Sequence, residues 1–172
     1  MKTTLILPLI FCLTLSACHA GSGSPGKLKK IDLNQVELMK KFVGRWTCEL
    51  GNDTVLIGEN VAFGTGLVCN SQITVNGKIL SSVKQLYGYD KKIDKYIVAE
   101  LIEASPVIEI CTSWFTSPTT GELVVTNPDN APFRFKFEFK TDDLIVQTAI
   151  QNDQVVKEIT LIRIKAAANT IQ

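Results

Sequence analysis

The sequence predicts an all-β fold, an antiparallel up-and-down barrel of about ten strands with one N-terminal helix. Three observations carry this. From Arg45 to Ile164 the apolar residues recur mainly at a period of two, the repeat of a strand with one dry face. Short turns separate the strand-like runs, Asn76-Gly77 the clearest of them, and no connection is long enough to cross over to a parallel neighbour. Phe133, Phe135, Phe137 and Phe139 alternate with Arg134, Lys136, Glu138 and Lys140, so one face of that strand is dry and the other wet. A sequential meander with one apolar face closes into a barrel or folds into two packed sheets. Closure leaves no exposed edge, which favours the barrel.

The chain has 172 residues, 45% hydrophobic and 20% charged, which suits one globular domain rather than a disordered chain. Its start reads as an address. Lys2 precedes an apolar run from Leu5 to Leu15 that is too short to span a bilayer, and Leu15-Ser16-Ala17-Cys18 follows. Small residues before a cleavage point mark a secretory signal. The segment resembles a bacterial lipoprotein signal. That resemblance implies a signal peptide over 1–17, cleavage before Cys18 and acylation of Cys18. Because His19 rather than Asp follows the cysteine, it also implies a place in the cell envelope, on the outer membrane facing the periplasm where the host has two membranes. Cleavage would remove only Lys2 among the charged residues, leaving 17 basic against 17 acidic. Such a balance argues against a nucleic-acid partner. It gives no polybasic attraction to anionic lipid either, so membrane contact is expected through the lipid anchor.

Residues 18–30 read as a tether, with Ala20-Gly21-Ser22-Gly23-Ser24-Pro25-Gly26 flexible by composition. Lys27, Lys29 and Lys30 are either its solvated end or a contact to lipid headgroups. The domain is expected over 31–172. The spacing of Val36, Met39, Phe42 and Val43 predicts a helix over 32–43. Asp32 is the expected N-cap, with Gln35 at capping-box distance. Lys40 and Lys41 suit the C-terminal end of the helix dipole, and Gly44 can end the helix in a left-handed conformation.

Strand patterns then follow in order. The first runs from Arg45, with Trp46 and Cys48 on one face, to a turn at Gly51-Asn52-Asp53. The next are 54–63, 67–75, 79–89, 95–103, 107–115, 122–126, 133–140, 144–151 and 155–164, with turn residues between them.

Gly44-Arg45-Trp46, after a helix and at the start of the first strand, resembles the Gly-x-Trp motif of calycins, the superfamily of lipocalins and fatty-acid-binding proteins. A longer match is to an uncharacterised group of bacterial calycin-like domains, DUF1579. It rests on Phe42-Val43-Gly44-Arg45-Trp46, then Tyr87-Gly88-Tyr89-Asp90, then Lys95-Tyr96. The chain has Gly64-Thr65-Gly66 where that group has a Gly-Gly pair. The resemblance implies a barrel whose Trp46 closes one end. It carries a fold and little activity.

No residue set looks catalytic, and no enzyme is expected. The only histidine, His19, lies in the tether, which leaves no Ser–His or Cys–His pair and no in-barrel haem ligand. No cofactor is expected. Cys48, Cys69 and Cys111 remain open between free buried thiols, one disulfide, and a metal or thiol site. Against a Cys48–Cys69 bridge, two strand spacings of about 9.6 Å exceed the ~7 Å limit for a disulfide. Glu100/Glu103 and Asp142/Asp143 read as turn and surface charges. Glu109 lies between Ile108 and Ile110, and if its face is inward it is a buried acid and a ligand contact. Arg134 alternates with the Phe face and is solvated. Arg45 is expected to close the barrel end by stacking on Trp46 or capping carbonyls. Arg163 is either a surface charge or, by resemblance to fatty-acid-binding proteins, a carboxylate-binding residue; Lys165 stands where they have Tyr.

The expected function is binding of a small hydrophobic ligand in the barrel, as a carrier or sensor at the envelope. Trp46, Glu109, Phe135, Phe137 and Arg163 are the candidate ligand contacts. The alternative is a structural or protein-interaction lipoprotein with a filled barrel. A cavity of at least ~300 Å³ separates the two.

Overall fold

Ten antiparallel strands close into one barrel in the computed structural model, which describes residues 32–103, 105, 107–127 and 133–165. The signal peptide, Cys18 and the tether expected over 1–30 lie outside the described residues. The strands are β1 (Gly44–Gly51), β2 (Thr54–Phe63), β3 (Gly66–Val75), β4 (Lys78–Asp90), β5 (Lys95–Ile102), β6 (Ile108–Phe115), β7 (Thr120–Asn127), β8 (Phe133–Thr141), β9 (Leu144–Gln151) and β10 (Gln154–Ile164). Each pairs with its sequence neighbour, and β1 pairs with β10 to close the ring. The fold is the all-β, calycin-like barrel that the meander predicts.

The tight hairpins follow from turn chemistry. Asn52-Asp53, Asn76-Gly77 and Asn152-Asp153 all have positive φ at both central residues. That conformation matches strand twist and favours Asn, Asp and Gly. The β8 phase is as predicted: Phe137 and Phe139 are buried, while Lys136 and Lys140 are exposed. On its outer face Arg134 pairs with Asp153 at 3.0 Å and Lys140 with Glu138 at 2.7 Å.

The helix is shorter than the spacing predicts. α1 spans Gln35–Met39 and continues as a 3-10 turn, Lys40–Phe42. Asn34, not Asp32, is the N-cap; its Oδ1 accepts from the Glu37 amide at 3.1 Å. The capping box from Asp32 does not form, because the Gln35 side chain turns into the protein. Its Nε2 donates to the Phe115 carbonyl at 3.0 Å, and its Oε1 accepts from the Phe115 amide at 2.8 Å. One side-chain amide thus satisfies the last residue of β6 as a further strand would. Met39 is buried, and the Phe42 ring sits 4.9 Å from Phe139 and 5.1 Å from Phe137, edge-on to both. The helix therefore plugs one mouth of the barrel. Val43 is the C-cap, and Gly44 follows it at a φ of +120°, the positive-φ conformation expected where the helix ends, and opens β1.

Candidate functional site

The plugged end is built around Trp46. Its ring is buried, and its Nε1 donates to the Phe42 carbonyl at 2.8 Å. Asn60 Nδ2 donates to the same carbonyl at 2.9 Å. Tyr96, Phe115, Phe137, Phe139 and Ile145 complete the packing beneath the helix. Gly121 is needed here, because a Cβ on it would overlap the Phe137 ring.

Arg45 does not stack on Trp46 or cap the helix. It lies outward and exposed, because Trp46 takes the inward phase of β1. Arg163, across the sheet on β10, does both jobs. Its guanidinium carbon is 4.1 Å from the centre of the Trp46 ring. Its donors reach the carbonyls of Val43, of Lys41 at 2.8 Å and of Asp142 at 2.9 Å. A 3.2 Å ion pair to Asp143 completes the set. Arg163 is thus a fastener of the plug and is not among the cavity-lining residues. The carboxylate-binding role carried by resemblance is corrected on that ground: all three guanidinium nitrogens already donate to backbone carbonyls at the plug.

Below the plug, the barrel interior holds a cavity of ≈ 500 Å³. Trp46, Phe135, Phe137 and Glu109 line it, as expected. So do Phe133, Leu123, Val125, Ile159 and Leu161, which make most of the wall apolar.

Four of the polar lining residues form one rung across four neighbouring strands. Cys69 on β3 pairs with Gln85 on β4, Gln85 with Glu100 on β5, and Glu100 with Glu109 on β6. All four side chains line the cavity. Tyr87 donates its hydroxyl to Gln85 Oε1 at 2.9 Å, and Gln85 Nε2 in turn donates to Glu100 Oε2. Burial raises the Glu100 pKa, with the Glu109 charge adding to the rise and the Gln85 bond opposing it. Burial also pushes the Cys69 thiol up to about 11 and the Cys111 thiol up to about 12. Tyr87 is raised well above the usual phenol value, again chiefly by burial. Both thiols and the phenol are therefore neutral at pH 7.

Glu100 corrects the reading of that residue as a surface charge. Apolar residues fall on both faces of β5, so charge alone gave no phase. Tyr96 and Val98 take the inward side, and Glu100 follows them two residues on. Gln85, Tyr87 and Gln147 also line the cavity without having been singled out. The two-residue spacing that puts Gln85 on the same face as Val83 and Tyr87 was the available signal. Cys48, Cys69 and Cys111 are free and buried. Among the described residues no group of three or more His, Cys, Asp or Glu is placed to hold a metal ion.

No model of a known protein family matches the chain, and no curated protein matches it. The site is accordingly read from its own geometry. A cavity of this size, apolar over most of its wall with a few convergent polar groups, has the build of a small-molecule pocket. Among the described residues that line it there is no histidine, and burial keeps both thiols protonated at pH 7.

Proposed function

We propose that the protein binds a small hydrophobic molecule inside the barrel, as a carrier or sensor held at the cell envelope by acylation of Cys18. The observation that carries the binding part is the ≈ 500 Å³ cavity, which exceeds the ~300 Å³ lower range of ligand pockets. The envelope part rests on the lipoprotein-like segment ending in Cys18. A Phe135→Trp reporter tests the binding. Residue 135 lines the cavity and is half-buried, whereas Phe137 is packed into the plug and tolerates an indole poorly. Its fluorescence should shift and saturate as a single-chain amphiphile is added below its micelle concentration. No response across amphiphiles of both charges and none, with the variant folded, would rule the carrier reading out.

A second reading, a protein-interaction barrel, draws on the outer face. Val61, Val68, Leu86, Ala99 and Ile110 lie side by side across β2 to β6, with Leu101 and Ile108 beside them. Leu86, Leu101 and Ile108 are exposed. Apolar groups in such a row are a common mark of a contact surface. Polar replacements of Leu86 and Leu101 that abolish a partner contact while leaving amphiphile binding intact would favour this reading.

A further inference from the structure

We propose that the cavity selects amphiphiles with a cationic, amine-type head group over fatty acids, with Glu100 and Glu109 as the head-group site. This rests on the ligand-binding reading above and sharpens it. The charged side chains lining the cavity are Glu100 and Glu109, and no Lys, Arg or His lines it among the described residues. The two carboxylates are direct cross-strand neighbours on β5 and β6. None of the ion pairs among the described residues involves either one. Two like charges side by side at a partly desolvated wall repel, and among the described residues no cation pairs with either.

A fatty acid would add a third negative group to this wall. Arg163 does not offer it a counter-charge, being engaged at the plug by Trp46 and backbone carbonyls. An ammonium does the opposite. It is a compact cation with three donors and no acceptor. Glu109 and the Glu100 oxygen that Gln85 does not reach present acceptors to it. Of the other groups of this wall, Cys69, Cys111 and Tyr87 are held neutral, Ser71 and Ser113 carry uncharged hydroxyls, and Gln85 is already bonded to Tyr87 and Glu100. On the neighbouring strands β7 and β8, Leu123, Phe133 and Phe135 give an apolar wall for the chain of the amphiphile, with Ile159 and Leu161 of β10 opposite. Head and tail then each meet the surface that suits them.

The test compares dodecylamine, dodecanol and dodecanoate, each below its micelle concentration, by calorimetric titration of the full chain at pH 7. Dodecylamine should bind about 10-fold or more tighter than dodecanol, and dodecanoate weakest. Affinity for the amine should fall as pH drops and Glu100, whose pKa burial raises, takes up a proton; Cys69, Cys111 and Tyr87, which also face this wall, stay neutral throughout. Glu100→Gln with Glu109→Gln should bring the three ligands to within about 3-fold of one another while the chain still binds. Glu109→Gln alone, which leaves the Gln85 bond in place, should reduce the amine preference by about 3-fold or more and keeps the test open should the double variant misfold. Dodecanoate binding as tightly as dodecylamine, or an amine preference that survives the double variant, would overturn the head-group assignment and leave the cavity reading standing. Binding of none of the three would overturn both.

Discussion

Arg163 and Trp46 face each other across the β1–β10 seam, and the guanidinium carbon lies 4.1 Å from the centre of the indole ring. The seam is the one strand pair with no turn to join it, and its register covers only three residue pairs. Arg163 fastens it from above by bonding the backbone of the helix end and of the β8–β9 turn. A Cβ on Gly44 would come within 2.7 Å of the guanidinium, at a φ of +120°. The Gly44-Arg45-Trp46 motif is thus two-thirds explained by a residue more than a hundred positions away.

Replacing Arg163 with Met should cost about 2–4 kcal/mol in urea titration, since its charge-assisted bonds to the carbonyls of Lys41, Val43 and Asp142 are lost together. Lys at the same position should recover less than half, because it lacks the planar fork that reaches several acceptors at once. A Lys variant as stable as wild type would mean that charge alone fastens the seam.

Trp46→Ala should cost about 3–5 kcal/mol, the range for large aromatic residues in cores. Trp46→Phe keeps a ring but loses the 2.8 Å bond to the Phe42 carbonyl, and should cost about 1–2 kcal/mol. A loss below about 1 kcal/mol for the Ala variant would contradict the closed end described above.

Gln35→Ala should cost about 2–4 kcal/mol, because it leaves both backbone groups of Phe115 without their partners. Hydrogen exchange reads this at one residue: the Phe115 amide should lose protection while amides in mid-barrel, such as Val98, keep theirs. Unchanged protection at Phe115 would show that Gln35 does not dock the helix.

Those three contacts mark where sequence reading reached its limit. The phase of β8 was legible because each apolar ring is followed by a charge, and a one-residue slip would bury four charged groups. The turn at Asn76-Gly77 was legible because its backbone needs residues that accept positive φ. The helix start was not. Asp32 and Asn34 are both good caps two residues apart, and Gln35 decides between them by bonding a strand 80 residues on. Arg45 and Arg163 traded roles for a related reason. Adjacency in sequence put Arg45 beside Trp46, yet adjacent strand residues face opposite ways. Of the cavity contacts, Phe135 and Phe137 were legible from alternation and Trp46 from the Gly-x-Trp resemblance; the phase of Glu109 stayed open between two flanking isoleucines, and Glu100 sat in a strand apolar on both faces.

Glu100 gives a pH signature. Its folded pKa is raised, so the native state holds that proton more tightly than the unfolded chain does. Stability from this residue is therefore lost as pH rises from the ordinary carboxylate value through the folded one, and the loss is complete above it. Glu100→Gln removes the effect and can still accept from Gln85. Its melting temperature should exceed that of wild type by a few degrees at pH 8, with the gap closing towards pH 4. A gap that widens as pH falls would contradict the burial of this acid.

The thiols give another. With Cys69 near 11 and Cys111 near 12, and Cys48 also raised by burial, all three should resist alkylation at pH 8 in the native protein. In guanidinium without reductant all three should label, as peptide mapping would show. A pair that stays unlabelled after unfolding would mean a disulfide.

The occupancy of the barrel is tested most directly by native mass spectrometry of the gently purified protein, set beside the same sample under denaturing conditions. A bound lipid-like molecule should appear as a one-to-one adduct that is lost on denaturation, which separates it from any acyl chain on Cys18. Val125→Trp, which places an indole in the cavity, should remain folded and lose the adduct. Bare protein in the native spectrum even after incubation with amphiphile, or an adduct that persists undiminished in Val125→Trp, would contradict a ligand inside the barrel.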